Sequence, residues 1–93
     1  QLVRNTPAVA SMDNRPNPFN DMTTIRMESQ RDEDAMLRVF ETGGKCVMTR
    51  KVTLVQGENE FVVRKSELKG AGIYMYEIES DFQYSTNRMI IVD

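Results

Sequence analysis

Turn-forming residues recur along this chain at intervals of roughly 8–12 residues, a spacing that suits short strands. Asn, Asp and Pro crowd residues 13–21, Gly43-Gly44 follows Thr42, and Gly57 follows Gln56. Lys69-Gly70-Ala71-Gly72 and the polar residues 80–83 break the chain again. Between these points lie segments rich in Val, Ile, Thr and aromatic residues, which far outnumber Ala and Leu. Branched and flat side chains suit a pleated, half-buried surface. The expected fold is all-β: an antiparallel β-sandwich of about seven strands.

The segments can be read in order. A first short strand is expected near residues 8–12, after a linker over residues 1–8. Residues 13–21 read as a stiff, irregular connector in which each proline restrains its own φ and its predecessor. Phe19 is its one large apolar residue, expected to tuck under the next strand. Residues 22–28 read as that strand, with Thr23, Ile25 and Met27 on one face. Residues 29–42 admit two readings. Ser29 and Asp32 resemble a helix start, with Met36, Leu37, Val39 and Phe40 at helical spacing. Alternatively, residues 29–34 form a charged turn and 35–41 a strand, which the Gly43-Gly44 hairpin signal favours. Residues 46–55 read as the return strand and 60–64 as the next, with a helical turn at 66–68. In residues 73–79, Tyr74, Tyr76 and Ile78 share the inward face, because Glu77 and Glu79 wet the other. Residues 84–92 close the set.

Composition excludes several classes of function. The chain has 93 residues, one cysteine, no histidine and no tryptophan. Cys46 alone excludes an internal disulfide or a thiolate metal cluster, and a buried, inert thiol is expected. Without histidine there is no imidazole acid–base work and no Ser–His or Cys–His nucleophile. Asp32, Glu33 and Asp34 form the densest carboxylate group, but residues of a strand or turn splay and do not make an acid–base pair. Asp13, Asn14, Asn17, Asn20 and Asp21 offer oxygen atoms to calcium, but the prolines break the alternating ligand spacing, so turn chemistry is the preferred reading. No cofactor, metal or catalytic residue is expected. Twelve basic against 14 acidic residues give a net charge of −2, which suits neither nucleic acid nor a polybasic membrane anchor. The longest apolar runs, residues 73–76 and 89–92, are far short of the ~20 residues of a membrane span. Seven methionines are expected as core filling. A chain opening at Gln1 is expected to be a piece of a longer protein.

One local cue narrows the fold. Leu68 leads through Gly70 and Gly72 into Tyr74 and Tyr76, similar to the tyrosine corner of immunoglobulin-like domains, where a Tyr hydroxyl bonds back to the preceding loop. Tyr76 stands where disulfide-bearing members carry a cysteine.

The order of motifs says more. Pro16-Asn17-Pro18-Phe19-Asn20, Thr24-Ile25, a Gly-Gly hairpin, the corner from Leu68 to Tyr76, and Arg88-Met89-Ile90-Ile91-Val92 follow one another. Together they resemble the C-terminal sorting domain (type A) of type IX secretion substrates in Bacteroidetes, over residues 9–93. Arg15 departs from the aromatic that commonly precedes Pro-Asn-Pro, and Glu41-Thr42 from the usual Asp- or Asn-containing strand end. The resemblance implies a non-catalytic module that folds in the periplasm. It is then recognised by outer-membrane translocon and shuttle proteins without inserting into the membrane. Removal by a sortase-like peptidase and attachment of the cargo to an anionic lipopolysaccharide often follow, leaving the cargo at the cell surface or secreted. Arg88, Met89, Ile90, Ile91 and Val92 are expected to be read by the translocon, through an open backbone edge of the last strand. Pro16, Asn17, Pro18 and Phe19 are expected to shape the neighbouring loop, and Leu68, Gly72, Tyr74 and Tyr76 to form the corner. The alternative is a structural or adhesive immunoglobulin-like spacer beside a larger secreted domain.

Overall fold

Alternation of residue type sets the direction each strand faces. In the segment Met22–Ser29 the residues Thr23, Ile25, Met27 and Ser29 are buried, while in Glu33–Glu41 they are Ala35, Leu37 and Val39. In Gly72–Glu79 the buried residues are Tyr74, Tyr76 and Ile78. The computed structural model describes residues 8–9 and 11–93. The expected linker over residues 1–8 falls outside them except for Ala8. In chain order the strands are β1 (Ala8–Val9), β2 (Met12–Arg15), β3 (Met22–Ser29), β4 (Glu33–Glu41), β5 (Cys46–Leu54), β6 (Gly57–Arg64), β7 (Gly72–Glu79) and β8 (Gln83–Ile91). One 3-10 turn, Lys65–Glu67, joins β6 to the corner before β7, and no α-helix occurs among the described residues.

The strands form two sheets, ordered β1-β8-β7-β4-β5 and β2-β3-β6. Apart from the two-residue parallel pairing of β1 with β8, the ladders are antiparallel. The inner faces enclose one core in which Ile25, Leu37, Val39, Leu54, Val63, Tyr76 and Met89 are fully buried. Each such side chain contributes about 1.5–3 kcal/mol on burial. The arrangement is an immunoglobulin-like β-sandwich in which the sheet carrying the last strand has five strands and the other three.

Residues 29–42 resolve in favour of the strand. β4 is central, hydrogen-bonded to β5 on one side and to β7 on the other. Both its faces carry apolar residues because Leu37 and Val39 enter the core while Met36 and Phe40 are half covered on the outer face. The Gly-Gly hairpin closes through Gly44 N–H to Glu41 O (2.8 Å) and Glu41 N–H to Lys45 O (2.9 Å), with Gly44 at φ 94°. That left-handed value favours glycine.

Four expectations are corrected. Residues 13–15 belong to β2 rather than to an irregular connector, since Met12 and Asn14 alternate inward with Asp13 and Arg15 outward. The strand expected at residues 8–12 is two pieces, β1 and β2, lying in different sheets. Cys46 is exposed, because it opens β5 on the outer side of a bulge between Val39 and Phe40. Methionine is not reserved for the core either: Met12, Met27 and Met89 are buried, but Met22 and Met75 lie open to solvent at 43% and 45%.

Candidate functional site

β8 alternates tightly at its end. Met89 and Ile91 point into the core, whereas Arg88 and Val92 are exposed and Ile90 is half covered on the outer face. Of the five residues expected to be read together, 88–92, the structure thus turns two side chains inward and three outward. The Met89 and Ile91 side chains are closed to a partner because they pack between the sheets. Arg88, Ile90 and Val92 face outward.

The loop of Pro16, Asn17, Pro18 and Phe19, some seventy positions earlier, lies along the outer edge of this same segment. Phe19 N–H donates to Ile90 O (2.9 Å), and Val92 N–H donates to Phe19 O (2.8 Å), as a neighbouring strand would. The Asn17 carboxamide continues the ladder with a side chain. Its Nδ2 donates to Arg88 O (3.0 Å), and its Oδ1 accepts from Ile90 N–H (2.9 Å). The Phe19 ring is buried in the core. It tucks against the last strand, not the following one, because these backbone bonds hold it there. Further back, β1 pairs with Gln83 and Tyr84. Asn87 Nδ2 donates to the Met12 carbonyl (2.8 Å), tying β8 to the opposite sheet. The expected open backbone edge is thus corrected: the end of β8 is paired on both sides. A closed edge removes the donors and acceptors through which strands add and aggregate.

A buried polar network fixes the loop from below. Tyr76 Oη donates to Asn14 Oδ1 (2.9 Å), Asn14 Nδ2 to Thr23 Oγ1 (3.1 Å), and Thr23 Oγ1 to Pro16 O (2.8 Å). Asn17 Nδ2 also reaches Asn14 Oδ1 at 3.3 Å, so the clasp and the network share an atom. Burial, with a smaller push from the Asp13 carboxylate, raises the Tyr76 phenol far above its ordinary range. It remains a donor over the whole physiological range. Among the described residues no buried side-chain nitrogen or oxygen lacks a partner. Such a network is stable only when complete, since an orphaned buried polar group costs about 1–3 kcal/mol.

Of the corner residues, Tyr74 is buried and donates from Oη to Gly70 O (2.8 Å) across the turn. Gly70 adopts φ 108° and Gly72 opens β7. Leu68 is half covered against the core. The preceding 3-10 turn is held by Glu67, whose Oε1 accepts from Arg64 N–H (2.9 Å) and whose Oε2 accepts from Arg50 (2.7 Å). Partial burial pushes the Glu67 carboxyl up, but these two partners outweigh it and hold the group below its ordinary value.

Arg38 in β4 bonds both Glu77 (2.7 Å) and Glu79 (2.9 Å) of β7 across the outer face. Arg88 makes no ion pair among the described residues. Residue types alone did not single out Asn14 and Thr23 as the base of the loop, or Asn87 as a tie. The available signal was the period-two spacing of Met12 with Asn14 and of Thr23 with Ile25, which sends both polar groups inward.

No curated protein matches the chain. A solved β-glucosidase from Listeria innocua in complex with isofagomine aligns with 88% of this chain at 12% identity and a TM-score of 0.39. The chain spans about 16% of that enzyme's length. The family model described as "Secretion system C-terminal sorting domain" matches residues 15–92, a stretch that opens beside the Pro16–Pro18 loop and finishes at Val92. The chain therefore belongs to the secretion system C-terminal sorting domain family, the sorting domains of type IX secretion, whose members engage the secretion machinery for export.

Proposed function

We propose that this domain is a non-catalytic address label whose readable part is the clasped end of β8. Arg88, Ile90 and Val92 supply the side chains that the outer-membrane translocon and its shuttle proteins contact. Pro16, Asn17, Pro18 and Phe19 hold that strand end in a fixed position. The domain folds in the periplasm in transit and carries its cargo to the cell surface or the medium. A sortase-like peptidase then removes it from many copies, and the cargo is attached to the surface.

The observation that supports this reading is the convergence of the two motif blocks. The Pro-Asn-Pro-Phe loop and the terminal segment are joined by four hydrogen bonds between Asn17 or Phe19 and residues 88, 90 and 92. A machine that must accept unrelated cargoes needs a rigid feature independent of them, and preorganisation lowers the cost of binding. The test is a periplasm-targeted fluorescent reporter fused ahead of residues 1–93 in a type IX-competent host. The expected result is reporter at the surface or in the medium, and its loss when residues 89–93 are deleted. An intact fusion retained in the periplasm overturns the proposal.

A further inference from the structure

The outer face of the β1-β8-β7-β4-β5 sheet divides into two unlike halves. In one, Arg38 is satisfied by Glu77 and Glu79, and Tyr84 Oη adds a bond to Glu77 (3.3 Å). There each of these charged groups has a partner within the domain, with one carboxylate in excess. In the other half the register brings apolar side chains side by side. Phe40 lies opposite Met75, which lies opposite Arg88 on the next strand; one step on, Ile73 lies opposite Ile90. Directly opposed residues have Cβ atoms about 4.5–5.5 Å apart, so the four apolar side chains form one contiguous patch. Ile73 and Met75 are 50% and 45% exposed, although the remaining outward positions of β7 are glutamates.

The rim of this patch is basic. Lys69 and Ile73 line the same shallow depression beside the hairpin, and Lys45 is exposed within that hairpin. Lys45, Lys69 and Arg88 form no ion pair among the described residues; Glu41 is the carboxylate on the same rim. In a chain of net charge −2, two cations without an ion pair thus adjoin exposed apolar side chains: Arg88 opposite Met75, and Lys69 beside Ile73. Solitary exposed apolar residues need no explanation, but a contiguous patch with a polar rim marks an interaction surface.

We infer that the Phe40–Met75–Ile73–Ile90 patch is a side-chain docking surface for an acidic polypeptide segment of the export machinery, one carrying apolar side chains between carboxylates. The inference rests on the sorting reading and extends it from the end of β8 across β7 to β4. Binding is through side chains because the backbone of β7 is paired with both β4 and β8, and the end of β8 is sealed by Asn17 and Phe19. Charge complementarity selects a carboxylate-bearing partner and steers its approach.

The test uses the full-length reporter fusion with two double variants, I73S/M75S and K45E/K69E. All four positions are exposed, so melting midpoints should stay close to the parent. Export is expected to fall about tenfold or more in each variant, and the conservative pairs I73V/M75L and K45R/K69R should restore it. Arg26→Glu on the opposite sheet serves as the control, exported normally. If both double variants are exported at the parental rate while the fusion lacking residues 89–93 is retained, the docking surface is refuted and the sorting reading stands. If the deleted fusion is exported as well, the sorting reading itself falls. Two further outcomes also refute the surface. One is a concentration-dependent dimer in sedimentation that I73S/M75S abolishes with export unimpaired, which makes the patch a self-association face. The other is binding to phosphatidylglycerol vesicles that K45E/K69E abolishes with export unimpaired.

Discussion

Replacing Tyr76 by phenylalanine isolates the network beneath the loop. The ring still fills its place in the core, where Tyr76 is fully buried, and only the hydroxyl is lost. What remains is Asn14 Oδ1, buried, deprived of a 2.9 Å bond and left with Asn17 Nδ2 at 3.3 Å. An orphaned buried acceptor costs about 1–3 kcal/mol; partial service by Asn17 places this one at about 1–2 kcal/mol. At about 4–8 °C per kcal/mol for a domain of this size, the melting midpoint should drop by roughly 4–16 °C. The pH dependence supplies a second reading from the same samples. Burial raises the Tyr76 pKa in the folded state above its ordinary value near 10.0. The unfolded chain therefore releases this proton first. The stability held by the protonated phenol is complete below pH ~10 and drains as pH climbs from there toward the raised folded pKa. Y76F has no such loss, so the gap between parent and variant should narrow by about 1.4 kcal/mol per pH unit above pH ~10. Thermal melts at neutral pH measure the first effect, and denaturant melts between neutral pH and pH 11 the second. A midpoint within about 1 °C of the parent at neutral pH, with a gap that ignores pH, would refute the buried bond.

Two more predictions concern the clasp. Phe19→Ala removes a ring that is only 2% exposed, and should cost about 3–5 kcal/mol in denaturant melts; a cost below 1 kcal/mol would place that ring outside the core. Asn17→Ala removes the bonds to Arg88 O and Ile90 N–H from an exposed residue, so global stability should fall by only about 1–2 kcal/mol. Amide exchange at Ile90 should nevertheless quicken about tenfold or more, and unchanged protection there would show that Asn17 does not cover the strand.

The parts of the fold that were legible in the sequence are those written locally. Gly43-Gly44 marked the hairpin, and the glutamates of β7 identified Tyr74, Tyr76 and Ile78 as the inward face. The spacing of Thr23, Ile25 and Met27 likewise matched the buried face of β3. What escaped was set by distant partners. β2 was hidden because its second inward residue, Asn14, is polar, and its reason for being inside is Tyr76, sixty-two positions away. The apolar run at the end of β8 read as one block, but a strand must alternate, so Met89 and Ile91 went to the core and left Arg88, Ile90 and Val92 outside. Likewise no local pattern shows that a loop will lie on a strand edge. Both sides of that contact looked like self-sufficient motifs, and their pairing required Asn17 to imitate a backbone.

The account stands or falls on whether the outward side chains of the clasped strand end carry the address. The most direct measurement is export of the reporter fusion bearing Arg88→Ala and Val92→Ser. Both residues are exposed, so the domain should keep its melting midpoint within a few degrees, at an expected cost of about 0.5 kcal/mol or less each. The account predicts a folded, intact fusion that stays in the periplasm. Arrival at the cell surface at the parental rate, with the fold unchanged, would contradict it.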